Sequence, residues 1–277
     1  MSPPGFHAEN NLGNNLHGQG KRALPWNSRS SFSQTFGGYP HPLNDSLGIS
    51  RRLPPQPVRC RVGVVRRIVI TGGQGDLGKG ISAVFHEAGW QIDAPARDVL
   101  DVSDPAAVAG YFASGSVDLL VCCAGIVADG PLVRMSGEDW DESIRVNFGG
   151  AAAAAAAVLP GMVERKEGHI VFISSNSAIH PPAGQAAYAT AKASLLGLTT
   201  SLARVHGGSN VRVNAVLPGF LETKMTRDVT PSRRQEIMGE HCLGRFNTVR
   251  AVAGFIRYLH EGLPHTSGQI FRLDNRP

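Results

Sequence analysis

From Arg66 onward, short runs of apolar and largely β-branched residues alternate with stretches of helical periodicity, and few folds accommodate that alternation. The runs read "RIVITGG", "WQIDAPA", "VDLLVCCAG", "GHIVFISS" and "VRVNAVLPG". Between them lie "GKGISAVFHEAG", "PAAVAGYFA", "SIRVNFGGAAAAAAAVLPGMVERK" and "AAYATAKASLLGLTTSLARVHG". A strand apolar at every position, rather than every second one, is covered on both faces, so it belongs to a parallel sheet whose crossovers are the intervening helices. The expected fold class is α/β, a doubly wound parallel sheet of the Rossmann type. No repeat of about 20 to 50 residues appears and no linker interrupts the pattern. Residues 66–277 are therefore expected to form a single domain.

Residues 1–65 are of another kind. "ENNLGNNLHGQG" and "RSSFSQTFGGYPHPLNDS" are rich in Asn, Gly, Ser and Pro, with no apolar run at helical or strand spacing. They read as a disordered basic extension. Residues 1–67 hold nine Lys or Arg against Glu9 and Asp45, a balance of +7, so of the chain's formal +5 the remainder carries −2. The high isoelectric point thus belongs to the leader, and the folded part offers no charge-based reason to expect nucleic acid. The leader shares basic and Ser-rich character with organelle transit peptides but lacks a clear amphipathic helix.

The sequence shows neither a secretory apolar core nor an uninterrupted apolar run near the roughly 20 residues that span a bilayer, so no membrane partner is expected. The four cysteines, Cys60, Cys122, Cys123 and Cys242, form no C-x-x-C pair and have no zinc-like spacing to histidine, so no metal is expected. Cys122 and Cys123 end an apolar strand and point to opposite faces as small buried thiols. Reduced thiols suit a cytoplasmic location. The run Ala151 to Ala157 combines high helix propensity with small side chains, which permits close helix packing within the domain or across a subunit interface.

"RIVITGGQGDLGKGI" places Gly72, Gly75 and Gly78 where the first strand turns into the first helix. Such a turn lets backbone approach a pyrophosphate, whose charge then faces the helix N-terminus. The second strand ends in Ala96, Arg97, Asp98. A basic side chain there accepts a 2′-phosphate and an acidic one bonds a ribose 2′-hydroxyl, so Arg97 favours NADP(H) while Asp98 keeps NAD(H) possible.

Further along, "SSNSAIHPPAGQAAYATAK" follows a strand with Tyr188 and Lys192 one helical turn apart. At i and i+4 the two share a helix face, so an ammonium can sit near the phenol and lower its pKa from about 10, making it a usable general acid. Ser175 ends the preceding strand, where its hydroxyl can polarise a carbonyl beside the tyrosine.

These residues together resemble the short-chain dehydrogenase/reductase family, over roughly residues 66 to 274. Thr71, Gly72, Gly75 and Gly78 fit the family's T-G-x-x-G-x-x-G turn, with Leu77 inside it, whereas Asp76 stands where the other family turn, T-G-x-x-x-G-x-G, has a glycine. A carboxylate there would be repelled by pyrophosphate, so Asp76 is expected to turn away toward the free N–H groups of the helix's first turn. The resemblance implies that Asp101 and Val102 lie against the adenine and that Ala124 and Gly125, in "CCAG" where the family has "NNAG", admit the cofactor ribose. It makes Asn147, Ser175, Tyr188 and Lys192 the catalytic set, with Asn147 opening its helix and supporting a water that re-protonates the lysine. Pro218, Gly219 and Thr223, in "PGFLET", would shape the nicotinamide site, and the segment after them would form a substrate lid. The helix that usually follows the second strand looks deleted before "VLDVSD".

Within the family the closest likeness is to 3-oxoacyl-[acyl-carrier-protein] reductases. That implies NADPH-dependent reduction of a 3-oxoacyl thioester carried on acyl carrier protein, by a homotetramer or homodimer. Arg165, Lys166, Arg204, Arg233 and Arg234 are candidates for meeting an acidic carrier. Reduction of another small ketone or sugar fits the same catalytic residues, and a non-catalytic NADP-binding sensor or scaffold is the reading from a different class.

Overall fold

The computed structural model describes residues 65–276, and the basic extension read over 1–65 lies almost wholly outside them. Six parallel strands form one sheet in the order β2-β1-β3-β4-β5-β6. They are β1 (Arg67–Thr71), β2 (Gln91–Asp93), β3 (Leu119–Cys122), β4 (Gly168–Ile173), β5 (Val211–Leu217) and β6 (Ile270–Arg272). Strand alternation divides their side chains between two cores. Val69, Leu120, Ile170, Phe172, Val213 and Ala215 face α4 (Gly150–Arg165) and α5 (Ala186–His206), joined by Val108 of α2 (Pro105–Tyr111). Ile68, Ile70, Leu119, Val121, Val171 and Val216 face α1 (Asp76–Glu87) and α7 (Val249–Glu261). The covered faces explain why the strands are apolar at every position.

Helix periodicity supplies the matching stripes. In α1, Ile81, Val84 and Phe85 are buried, and in α7 Val252, Ala253, Ile256 and Leu259, each set spaced by three or four so that it lies on one face. Thr248 starts α7 by accepting the Ala251 amide on its hydroxyl, and Asp104 starts α2 by accepting that of Ala106. The alanine run packs inward through Ala151, Ala154 and Ala155, while Ala156 is exposed. Cys122 and Cys123 do take opposite sides, packing in the α4 and α1 cores respectively.

As the resemblance implies, no helix follows β2: residues 94–104, "VLDVSD" among them, run as loop and turns, and β2 is the sheet edge. The helix also opens at Asn147, where α3 (Gly137–Ile144) continues through a π turn at Arg145–Gly149 directly into α4. The resulting stretch Gly137–Arg165 is, by length and composition, apolar enough to cross a membrane, although no single apolar run stood out in the sequence. Half of its most apolar window is buried inside the domain, which is how a core helix satisfies the same criterion.

At the sheet end opposite the strand carboxyl termini, a polar chain is sealed inside. The Asn214 amide nitrogen donates to the Thr266 carbonyl and to His169 Nε2 at 3.0 Å, and His169 Nδ1 lies 3.2 Å from His260 Nδ1. Since His169 accepts at Nε2, its proton sits on Nδ1 and is donated to His260, so both rings are neutral. Burial, with Arg212 adding to it, holds His169 well below the usual imidazole range and His260 at about 3. Arg66 and Trp90 close the cluster from outside. Unfolded imidazoles bind protons near pH 6.5 and these native ones do not, so stability falls as pH drops below that point, by up to about 1.4 kcal/mol per pH unit for each ring. Melting temperature measured from pH 7.5 to 5 is expected to decline, and to decline less steeply in His260→Gln.

Candidate active site

The strand carboxyl ends converge on a cavity of about 950 Å³ whose walls are the loops that leave β1, β3, β4 and β5. Parallel strands deliver every such loop to one edge, which is why segments distant in sequence meet there. The loop from β1 into α1 contributes Gly72, Gly75, Asp76, Leu77 and Gly78. Ala124 and Gly125 come from the loop after β3, Ser175 from that after β4, Tyr188 and Lys192 from α5, and Pro218, Gly219 and Thr223 from the loop after β5. Arg97 reaches the same cavity from the segment after β2.

Close approach fixes this edge. Gly72 has φ +65°, and a Cβ there would lie 2.7 Å from the Ala124 Cα. Beneath it, the buried Thr71 hydroxyl accepts the amides of Cys123 and Ala124, holding the β3 loop against the glycine turn. The turn itself offers the first-turn N–H groups of α1 without a side-chain cap. Unfilled backbone donors beside a glycine cradle are what a dinucleotide pyrophosphate needs, so the residues present fit that group.

Asn147 sits in the π turn and is buried. Its oxygen accepts the Ile126 amide at 3.1 Å, and its nitrogen donates to the carbonyls of Ile126, at 2.9 Å, and Ser143, at 3.0 Å. In the widened turn the amide reaches across to the β3 loop while also bonding back to Ser143 of its own helix. Asn147 thus holds the loop that carries Gly125 through both backbone groups of one residue, Ile126. It supports the cavity wall from behind.

The ammonium of Lys192 is buried and donates to the Ile173 carbonyl at 3.0 Å, with its nitrogen 5.7 Å from the centre of the Tyr188 ring. Burial lowers its pKa to about 8, an effect only partly offset by the neighbouring Cys123 and Cys122. The Tyr188 phenol shifts the other way from the sequence expectation. Burial raises it, with Asp129 and Cys123 adding smaller upward effects, and the Ser175 hydroxyl, not Lys192, is the hydrogen-bonding group that pulls it back. Ser175 also accepts the Ser177 amide at 3.1 Å, which orients its hydroxyl. Burial pushes the Cys122 thiol up and the Cys123 thiol to about 11, so neither is a nucleophile near neutral pH.

Three other expectations change. Asp76 does not cap its own helix: its carboxylate crosses to accept the backbone amide of Lys224 at 2.6 Å. Val102 is core, packed where a Cβ on Gly150 would touch it at 2.7 Å, and Asp101 accepts from Ser103 and Arg97, so neither lines the cavity. The Arg97 guanidinium is exposed and pairs with Asp101 and Glu142. Of the basic residues weighed for an acidic carrier, only Arg233 lines the cavity, and it pairs with Glu236; Arg234 is held by Glu222 and Arg165 by the Val117 carbonyl.

The structure adds a polar chain on the cavity wall that sequence reasoning missed. The Ser177 hydroxyl donates to the Gln185 oxygen at 2.8 Å and the Gln185 nitrogen to Asp129 at 3.0 Å, joining the loops after β4 and β3 across the cavity from α1. Arg276, near the chain end, also lines the cavity and donates to Glu240 at 3.2 Å. Neither set has a spacing that marks it in the sequence.

The profile of a family described as "Enoyl-(Acyl carrier protein) reductase" matches residues 67–275. A 3-oxoacyl-[acyl-carrier-protein] reductase of Thermotoga maritima is 40% identical over 161 residues, 58% of this chain and 65% of that protein, so the chain matches just under two thirds of this relative's length. One from Chlamydia muridarum is 31% identical over 239 residues, covering 76% of this chain and 96% of the relative. Among solved structures, a 3-oxoacyl-[acyl-carrier protein] reductase from Brucella melitensis superposes with a TM-score of 0.70 at 26% identity, over 75% of this chain and 89% of that one. A short-chain dehydrogenase/reductase family oxidoreductase from Burkholderia thailandensis gives the same TM-score and identity over 76% and 92%.

Gly125 makes a demand that reaches the candidate catalytic side chains. A Cβ there would sit 2.7 Å from the Asn147 oxygen, which must then move, and 3.3 Å from the Lys192 nitrogen. Gly125→Ala is expected to retain the far-ultraviolet circular dichroism spectrum while losing about 1–3 kcal/mol of stability in urea titration, the usual cost of crowding a packed site.

Proposed function

We propose that this chain, which belongs to the short-chain dehydrogenase/reductase family and is an NAD(P)-dependent oxidoreductase, reduces the ketone of a 3-oxoacyl thioester borne on acyl carrier protein, with NADPH as the preferred cofactor. One observation carries the reading: Ser175, Tyr188 and Lys192 share a single cavity with the glycine turn. The names of the relatives supply the substrate class.

When bound, the nicotinamide group supplies the hydride that goes to the carbonyl carbon. Everything else falls to the chain. Tyr188 gives its phenolic proton to the carbonyl oxygen, so the ketone gains one hydride and one proton and becomes a secondary alcohol. The Ser175 hydroxyl, set by the Ser177 amide, hydrogen-bonds the oxygen as negative charge grows there. A phenol raised by burial stays protonated at neutral pH, the state that reduction requires. Lys192 returns a proton to Tyr188 after each turnover, and Asn147 keeps the loop beneath Gly125 in place. Thr71, Gly72, Gly75, Leu77 and Gly78 would hold the dinucleotide's pyrophosphate end, and Ala124, Gly125, Pro218, Gly219 and Thr223 its nicotinamide half. Arg97 stands where a 2′-phosphate would draw its guanidinium from Asp101 and Glu142.

The test is NADPH oxidation with an acetoacetyl thioester. Turnover is expected to fall at least about a thousandfold in Tyr188→Phe, by removal of the proton donor together with the oxygen's main partner. Loss of NADPH over NADH preference in Arg97→Ala would support the 2′-phosphate contact, and equal use of both cofactors by the wild type would refute it. Because Lys192 loses its proton as pH rises through about 8, kcat for reduction is expected to be level below that value and to decline above it. A profile still level at pH 9.5 would contradict the lysine's role.

A further inference from the structure

The Asp76 carboxylate joins the glycine turn to the segment beyond β5. Asp76 opens α1, yet its oxygen satisfies no N–H of that helix. It accepts the amide of Lys224, 148 residues away, at 2.6 Å. Lys224 begins the short turn Lys224–Thr226, which Thr223 and Thr226 close by exchanging hydrogen bonds with each other's backbone. Residues on both sides of the contact, Gly75 and Leu77 on one and Thr223 and Met225 on the other, line the same cavity. The hydrogen bond therefore crosses the cavity wall beside the helix N-terminus, whose first-turn donors are left without a side-chain partner.

We infer that Asp76 is the residue that sets nucleotide affinity in this chain, acting as a clasp that holds the 224–226 turn over the glycine turn and as a fixed negative charge beside the pyrophosphate position. The inference rests on the nucleotide reading proposed above. Two anionic groups compete for one neighbourhood. A carboxylate a few ångströms from a pyrophosphate opposes its binding at any effective dielectric between protein and water, and salt weakens the opposition. The clasp adds a second cost, because seating a dinucleotide against the turn requires the Lys224 amide to be released or shared. Nucleotide binding and movement of the 224–226 turn are thereby coupled through one side chain.

Full-length wild type, Asp76→Asn and Asp76→Gly separate the two contributions. The Asn variant removes the charge and keeps an oxygen able to accept the Lys224 amide; the Gly variant removes both. NADPH affinity is read by its fluorescence at low and high ionic strength, and backbone hydrogen exchange over residues 222–228 is read without nucleotide. Asp76→Asn is expected to bind NADPH roughly tenfold tighter at low salt, with the advantage shrinking as salt rises. Asp76→Gly is expected to bind at least as tightly and to exchange the 224–226 amides faster than wild type. Unchanged or weaker binding in Asp76→Asn overturns the charge role, and unchanged exchange in Asp76→Gly overturns the clasp. If neither wild type nor variants bind NADPH or NADH, the nucleotide reading itself fails and the affinity role with it, while the exchange measurement still decides the clasp.

Discussion

Burial of one parallel sheet on both faces is the constraint from which the rest follows. A strand sealed above and below by α1 and α7 on one side and α4 and α5 on the other has no lateral surface left for chemistry. Only its ends remain open, and because all six run the same way, every carboxyl end arrives at one edge. Thr71, Cys122, Ile173 and Leu217 are the last residues of their strands, and the cavity begins within a few residues of each. The opposite end holds the sealed histidine chain, a structural use of polar groups. The division of labour between the two ends is fixed by strand direction alone.

The local parts of this arrangement were legible in the sequence. Uninterrupted apolar runs marked the buried strands, and the helical periodicity of "GKGISAVFHEAG" marked the face on which Ile81, Val84 and Phe85 are buried. Tyr188 and Lys192, four residues apart, and Gly72 at a strand-to-helix turn are likewise short-range patterns. What could not be read is what depends on partners far along the chain. The oxygen of Asp76 finds an amide 148 residues away, and nothing near Asp76 announces it. Family resemblance places Val102 against an adenine, whereas the tertiary contact with Gly150 makes it core. The pKa of Tyr188 is of the same kind. Proximity of a lysine can be inferred from spacing, but the burial that outweighs it is the sum of many distant residues.

The two buried ionisable groups of α5 show how one environment prepares opposite partners. Withdrawal from water disfavours charge, so it raises a phenol and lowers an ammonium. The phenol moves up from its usual value near 10 and the ammonium down to about 8, so the two separate and a proton passes downhill from the Lys192 ammonium to a Tyr188 phenolate. Single hydrogen bonds trim the result: the Ser175 hydroxyl at the phenol and the Ile173 carbonyl at the ammonium. Asp129, linked through Gln185 to Ser177, joins the substrate side of the cavity to the same balance.

The π turn at Arg145–Gly149 has a consequence for helix phase. A helix advances about 100° per residue, and a turn that absorbs one extra residue offsets everything after it by that angle relative to everything before. The turn that aims Asn147 at Ile126 therefore also determines which alanines of α4 meet the sheet. Remove one residue from it and Ala151, Ala154 and Ala155 would rotate off the core together, while the amide swung back along its own axis. Support of the β3 loop and packing of the core are thus written into a single turn.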